Sequence, residues 1–110
     1  MSSKKLAAVK RAKLPRASDL TRQFVKDWER LTHSDRHDMM LHKAAMLLLV
    51  ANEAPLDPEW LDHALKGEWT DHRECHIGGE ILLIYRVQGR GAGEQVTFVR
   101  AGSHSELFGG

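Results

Sequence analysis

Residues 67–86, GEWTDHRECHIGGEILLIYR, limit the fold more than any other part of this 110-residue chain. His72, Glu74 and His76 alternate, so a strand places all three on one face. Gly78-Gly79 tolerates positive φ and predicts a two-residue hairpin turn. The apolar run Ile81-Leu82-Leu83-Ile84-Tyr85 then reads as a buried strand. With only Gly78 and Gly79 in the turn, Ile77 pairs with Glu80, and the Glu80 side chain faces away from His76. A hairpin lined with imidazole and carboxylate points to chemistry on one face of a sheet.

The elements around it follow from spacing. Residues 11–17 predict a short edge strand, which suits Pro15. Ser18 with Asp19 marks a helix start, and Leu20, Phe24, Trp28 and Leu31 form its inward stripe. Thr32-His33-Ser34 breaks that helix. A second runs over residues 36–52 with Met40, Ala44, Leu47, Leu48 and Ala51 inward, giving an antiparallel helical hairpin. Residues 54–60 connect, and 59–65 add a helical turn. Strands follow at 70–77, 80–87 and 95–101, and Leu107-Phe108 close the chain. The order predicts an α+β fold: two N-terminal helices on one face of a small, mostly antiparallel four-stranded sheet, with the other face open. Residues 1–17 read as a basic arm and 18–110 as the domain.

Composition narrows the function classes. The chain is 42% apolar and 28% charged, as expected of a globular domain. Its longest apolar run, residues 44–51, is too short to cross a membrane, and no cleavable signal pattern precedes it. Cys75 is the lone cysteine, which excludes an internal disulfide and suits a reducing cytoplasm. Residues 1–16 carry six positive charges and no acid, against ten basic and fifteen acidic residues in the remainder. A basic arm ahead of a mildly acidic body suits a polyanionic partner.

Seven histidines divide into two groups. His33, His37 and His42 belong to the helical hairpin and read as surface residues. His63, His72, His76 and His104 lie in the C-terminal half, near Arg73, Glu74 and Glu80. No nucleophile elbow, phosphate-cradling glycine loop or dinucleotide fingerprint is present. Imidazoles beside carboxylates suit proton transfer near neutral pH. RNA cleavage needs such a set: a base for the ribose 2′-OH, an acid for the leaving 5′-oxygen, and cations for the phosphate. It calls for no cofactor and no metal. His72-x-x-Cys75-His76, with His63, resembles part of a zinc site, but on a strand Cys75 points away from both histidines. Trp28 and Trp60 read as packing residues. Trp69 is open to two readings, core or a platform for a base.

These residues carry a family resemblance. Leu65-Lys66-Gly67-Glu68-Trp69, Arg73-Glu74-Cys75-His76-Ile77, Ile81-Leu82-Leu83-Ile84-Tyr85 and the segment from Arg100 to Phe108 together resemble the YafQ-type toxins of the RelE/ParE superfamily. These are mRNA interferases of bacterial type II toxin–antitoxin systems. The resemblance covers residues 18–109 and leaves the basic arm without a counterpart. It implies a metal-independent, ribosome-dependent endoribonuclease whose partners are mRNA, the ribosome and a cognate antitoxin. It implies a catalytic set of His63, Glu74, His76, Glu80 and His104. His104 would act on the leaving group or phosphate, while His63 and His76 would share base and positioning roles, with the base itself left open. Phe108 would stack on a base, and Arg73 or Arg100 would contact phosphate. Glu74 and Glu80 stand where YafQ itself has aspartate. Two rivals remain: a non-catalytic ParE-like toxin that binds a protein, and a small nucleic-acid-binding regulator using the arm.

Overall fold

The computed structural model describes residues 15–34, 37–52 and 56–109. Five strands form one sheet, not four: β1 Ala17–Leu20, β2 His63–Ala64, β3 Arg73–Gly78, β4 Ile81–Gln88 and β5 Gln95–Ser103, in the order β1-β5-β4-β3-β2. Among the described residues three α-helices accompany them: α1 Arg22–Thr32, α2 Met39–Ala51 and α3 His104–Phe108. All neighbouring strands are antiparallel except β1, which runs parallel to β5. No described helix is long and apolar enough to cross a membrane.

The N-terminal strand expected over 11–17 partly falls outside the described residues, and β1 begins at Ala17. Ser18 and Asp19 therefore lie in a strand. The helix start belongs to Thr21, whose hydroxyl accepts from the Phe24 N–H. Leu20, expected inward, stands 47% exposed.

The inward face of α2 is turned by about one residue from the expected one. His42, Ala45 and Leu49 are buried, while Met40, Leu47 and Leu48 face solvent. Apolar residues fill almost every position of this helix, so periodicity alone cannot choose a face. Lys43 chooses it: a lysine head must reach water, and Met40 (i−3) and Leu47 (i+4) share its face. His42 is consequently fully buried rather than a surface residue, with its ring edge-on to Trp28 at 4.9 Å. His33 is exposed and His37 half-buried, its Nε2 2.9 Å from His42 Nδ1.

Helices α1 and α2 cover one face of the sheet. Phe24, Leu31, Ala45 and Leu49 pack there against Cys75, Ile77, Leu83, Tyr85, Val96 and Phe98. Burial pushes the Cys75 thiol up to about 12, which leaves it an inert apolar group. Where β5 runs on past the end of β1, the buried Asp27 of α1 accepts from Arg100 Nε at 2.7 Å, the Ala101 N–H at 3.0 Å and Arg30 Nη1 at 3.0 Å. Burial raises the Asp27 carboxyl, but these hydrogen bonds outweigh it and hold the group below its ordinary value.

The opposite face is not wholly open. Leu82 and Ile84 support a second small core there with Leu107, and Leu65, Trp69, Val99 and Phe108 pack around it. Its lid is α3, a short helix where the chain was expected simply to close. Ser103 caps α3 and Glu106 returns a bond to the Ser103 N–H, forming a capping box. Where residues 59–65 were expected to add one helical turn, a 3₁₀ turn spans Pro58–Trp60 and residues 63–64 form the edge strand β2.

Candidate active site

The β3–β4 register positions the site. Glu74 pairs with Ile84 and His76 with Leu82, but Gly78 pairs with Ile81, so Ile77 is an extra residue on β3. The two turn residues are therefore Gly79 and Glu80, not Gly78 and Gly79. Gly79 supplies the positive φ of +55°. The bulge removes the facing conflict, since Glu80 sits in the turn itself and reaches the face that carries His76.

Strand β2 adds the next group. His63 is the cross-strand partner of Glu74, and its Nε2 lies 3.0 Å from Glu74 Oε1. The same oxygen is 3.9 Å from His76 Nε2. Glu74 is nearly buried, and its Oε2 has no hydrogen-bond partner. One carboxylate thus stands between two imidazoles. Behind His63, the Leu61 carbonyl is 2.7 Å from Nδ1 and fixes the ring. Leu61 holds that carbonyl with a left-handed φ of +49°, a conformation in which a leucine stores local strain.

A cavity of about 340 Å³ opens beside this pair, lined by Glu74, His76, Gly79, Glu80, Leu82, His104 and Ser105. His104 enters it from the first position of α3, with its ring centroid 4.8 Å from that of Phe108. Phe108 also meets Trp69 edge-on at 5.9 Å, and Trp69 meets His72 at 5.3 Å. Four of the five acid–base residues named from sequence line one cavity, and the fifth, His63, touches it through Glu74. His72 stays apart, beside Trp69.

The two arginines named for phosphate are committed elsewhere. Arg100 is bound to Asp27. Arg73 Nε lies 3.3 Å from Asp62 Oδ1, which also accepts from the Tyr85 hydroxyl at 2.6 Å. Sequence reasoning missed Asp62 and Asp27, because the groups they bind, Arg73 with Tyr85 and Arg100, are distant in the chain and no spacing marks them. It also missed a cluster without Cys75: His63, Glu74 and His76 bring three ligand-type atoms within 4.8 Å of one another.

A small sheet with a helical hairpin on one face and an imidazole–carboxylate cavity on the other defines a class, and the solved structures it resembles include bacterial toxins. The chain is 31% identical to the toxin in the E. coli DinJ–YafQ toxin–antitoxin complex, covering 87% of this chain and 100% of that one with a TM-score of 0.76. A metal-bound toxin from Helicobacter pylori is 36% identical over 84% of this chain and 99% of that one, with a TM-score of 0.72. The mRNA interferase toxin YafQ of E. coli K12 is 34% identical over 87 residues, 79% of this chain and 89% of the relative. The family described as bacterial toxin of type II toxin–antitoxin system, YafQ, matches residues 16–109. The chain belongs to that family.

Proposed function

We propose that this protein is an mRNA interferase that cuts ribosome-bound mRNA in the cytoplasm by metal-independent acid–base catalysis, restrained by a cognate antitoxin. The observation that carries the reading is the single cavity on which Glu74, His76, Glu80 and His104 converge. In the reaction, the His76–Glu74 pair takes the proton of a ribose 2′-OH. The freed oxygen attacks the adjacent phosphorus. His104, arriving from α3, gives a proton to the departing 5′-oxygen. The products are a 2′,3′-cyclic phosphate and a 5′-hydroxyl. His63 holds Glu74, and Glu80 orients an imidazole from the hairpin tip. Phe108, half-buried beside His104, offers its ring to a neighbouring base. Residues 1–17 act as a basic arm that tightens attachment to the polyanion, and residues 18–110 carry the catalysis.

The test is sequencing of mRNA ends after induced expression. Cleavage within translated frames, lost when the ribose at the cut is 2′-deoxy, supports the reading. Intact mRNA alongside arrested growth would favour a toxin that binds a protein target instead. Deleting residues 1–10 should weaken RNA affinity and leave the cut positions unchanged.

The His63–Glu74–His76 trio also has the donor set of a late transition-metal site. An ion there would occupy the atoms that must move protons, so it acts as a competitor. Chelators should leave cleavage unchanged, and added zinc or copper should inhibit it.

A further inference from the structure

Arg86 is a polar group the fold itself does not use. It follows Leu82 and Ile84 at alternate positions of β4, so it lies on the same sheet face as those two, while Leu83, Tyr85 and Val87 belong to the helix-covered core. Its cross-strand partner on β5 is Thr97. Its Nε is sealed from solvent without a hydrogen-bond partner, and no other nitrogen of its guanidinium bonds a described residue. Native structures rarely leave such a group unmatched without a reason. The neighbouring guanidiniums are spent: Arg100 and Arg30 on Asp27, Arg30 also on Glu106, and Arg73 on Asp62.

We infer that Arg86 is the phosphate-binding arginine of this surface, holding a backbone phosphate of the RNA that flanks the cut. This rests on the nuclease reading above. Leu82, the partner of His76, is four residues away on β4, about 13 Å along an extended strand. A phosphate at Arg86 is therefore not the one being cleaved. On the same face, Trp69 and Phe108 pack around the cluster of Leu82, Ile84 and Leu107, and Ile84 lies between Leu82 and Arg86 on β4. A guanidinium with an unused fork suits phosphate better than a point charge would. Arg86 is thus a positioning residue that fixes the register of the RNA over the cavity.

The experiment measures binding of an oligoribonucleotide with 2′-O-methyl riboses, which the enzyme cannot cut, across a salt series. Arg86→Gln should weaken binding about 10-fold and reduce the slope of log K against log salt by about 0.7, one single-strand phosphate contact. Arg86→Lys should restore the slope. The melting temperature of Arg86→Gln should match that of the wild type, because no hydrogen bond is lost and one polar atom replaces another at the buried position. An unchanged slope in Arg86→Gln, with wild type still cutting mRNA, overturns the role of Arg86 alone. A drop in melting temperature with unchanged slope shows a structural arginine and overturns it equally. A wild type that neither binds nor cuts RNA removes both this inference and the nuclease reading.

Discussion

His63 Nε2 stands 3.0 Å from Glu74 Oε1 across the β2–β3 pair, with its Nδ1 2.7 Å from the Leu61 carbonyl. A carbonyl only accepts, so Nδ1 is the donor to Leu61, and Nε2 is the nitrogen turned to the carboxylate. The pair thus fixes the Glu74 carboxylate beside the cavity. Glu74→Gln breaks this arrangement at constant shape and should lower single-turnover cleavage on ribosomes by about 100-fold or more. A rate within about threefold of wild type would remove Glu74 from the chemistry.

His104→Ala should abolish cleavage without loss of fold, since the ring is exposed and Ser103, Glu106 and Leu107 anchor α3 without it. The expected loss is about 10²–10⁴-fold, the usual worth of a general acid or base. Far-ultraviolet circular dichroism and the melting curve should coincide with wild type. Full toxicity in this variant would cancel the assigned role.

Glu80 tests reach. It sits at the hairpin tip, exposed, and lines the cavity through a flexible side chain. Glu80→Asp shortens that side chain by one methylene and should raise the rate, while Glu80→Gln should lower it. Misplacement of about 1 Å costs up to 10²-fold. Equal rates for all three forms in a translating extract would leave the histidines and Glu74 to carry the mechanism.

Acid should unfold this protein earlier than its exposed groups would suggest. Burial pushes the His42 imidazole down to about 3, with nearby His37 lowering it further. The unfolded chain binds a proton at about 6.5 that the folded chain refuses, so stability falls as pH drops from 6.5 toward 3. Between pH 7 and 5 the loss from His42 alone is about 2 kcal/mol. Chemical denaturation at the two pH values should show it, and His42→Leu should flatten the dependence. A variant with the wild-type slope would place the acid sensitivity elsewhere.

Asp27→Asn should destabilise by about 3 kcal/mol or more, because it leaves Arg100 partly buried without its counter-charge. Urea midpoints would measure this. A change under 1 kcal/mol would mean that Arg100 finds solvent or another acid.

The sequence made the β3–β4 hairpin and the shared face of Glu74 and His76 legible, because strand alternation acts locally; His72 falls just before β3 and escapes it. It concealed what long-range contacts decide. The bulge at Ile77 moves the turn by one residue, and no local rule separates Gly78-Gly79 from Gly79-Glu80. The almost wholly apolar α2 gave no clear period, and its one charged residue, Lys43, was needed to choose the face, so His42 looked exposed. Residues 63–64 form a strand only because Glu74 offers an edge, and Arg73 and Arg100 looked free only because Asp62 and Asp27 are distant in the chain.

The pairing of β1 with β5 sets an order of events during synthesis. Ala17 is joined to Gln95 and Leu20 to Phe98, partners 78 residues apart. A ribosome therefore releases the helical hairpin well before β5 exists, and the β3–β4 pair just ahead of it. Such non-local closure is slow compared with helix or hairpin formation. Until residues 95–108 emerge, His104 and Arg100 have no place in the structure, and Asp27 has no counter-charge. A nascent chain of this kind cannot attack the ribosome that is making it, and it offers a partner the interval before closure in which to bind.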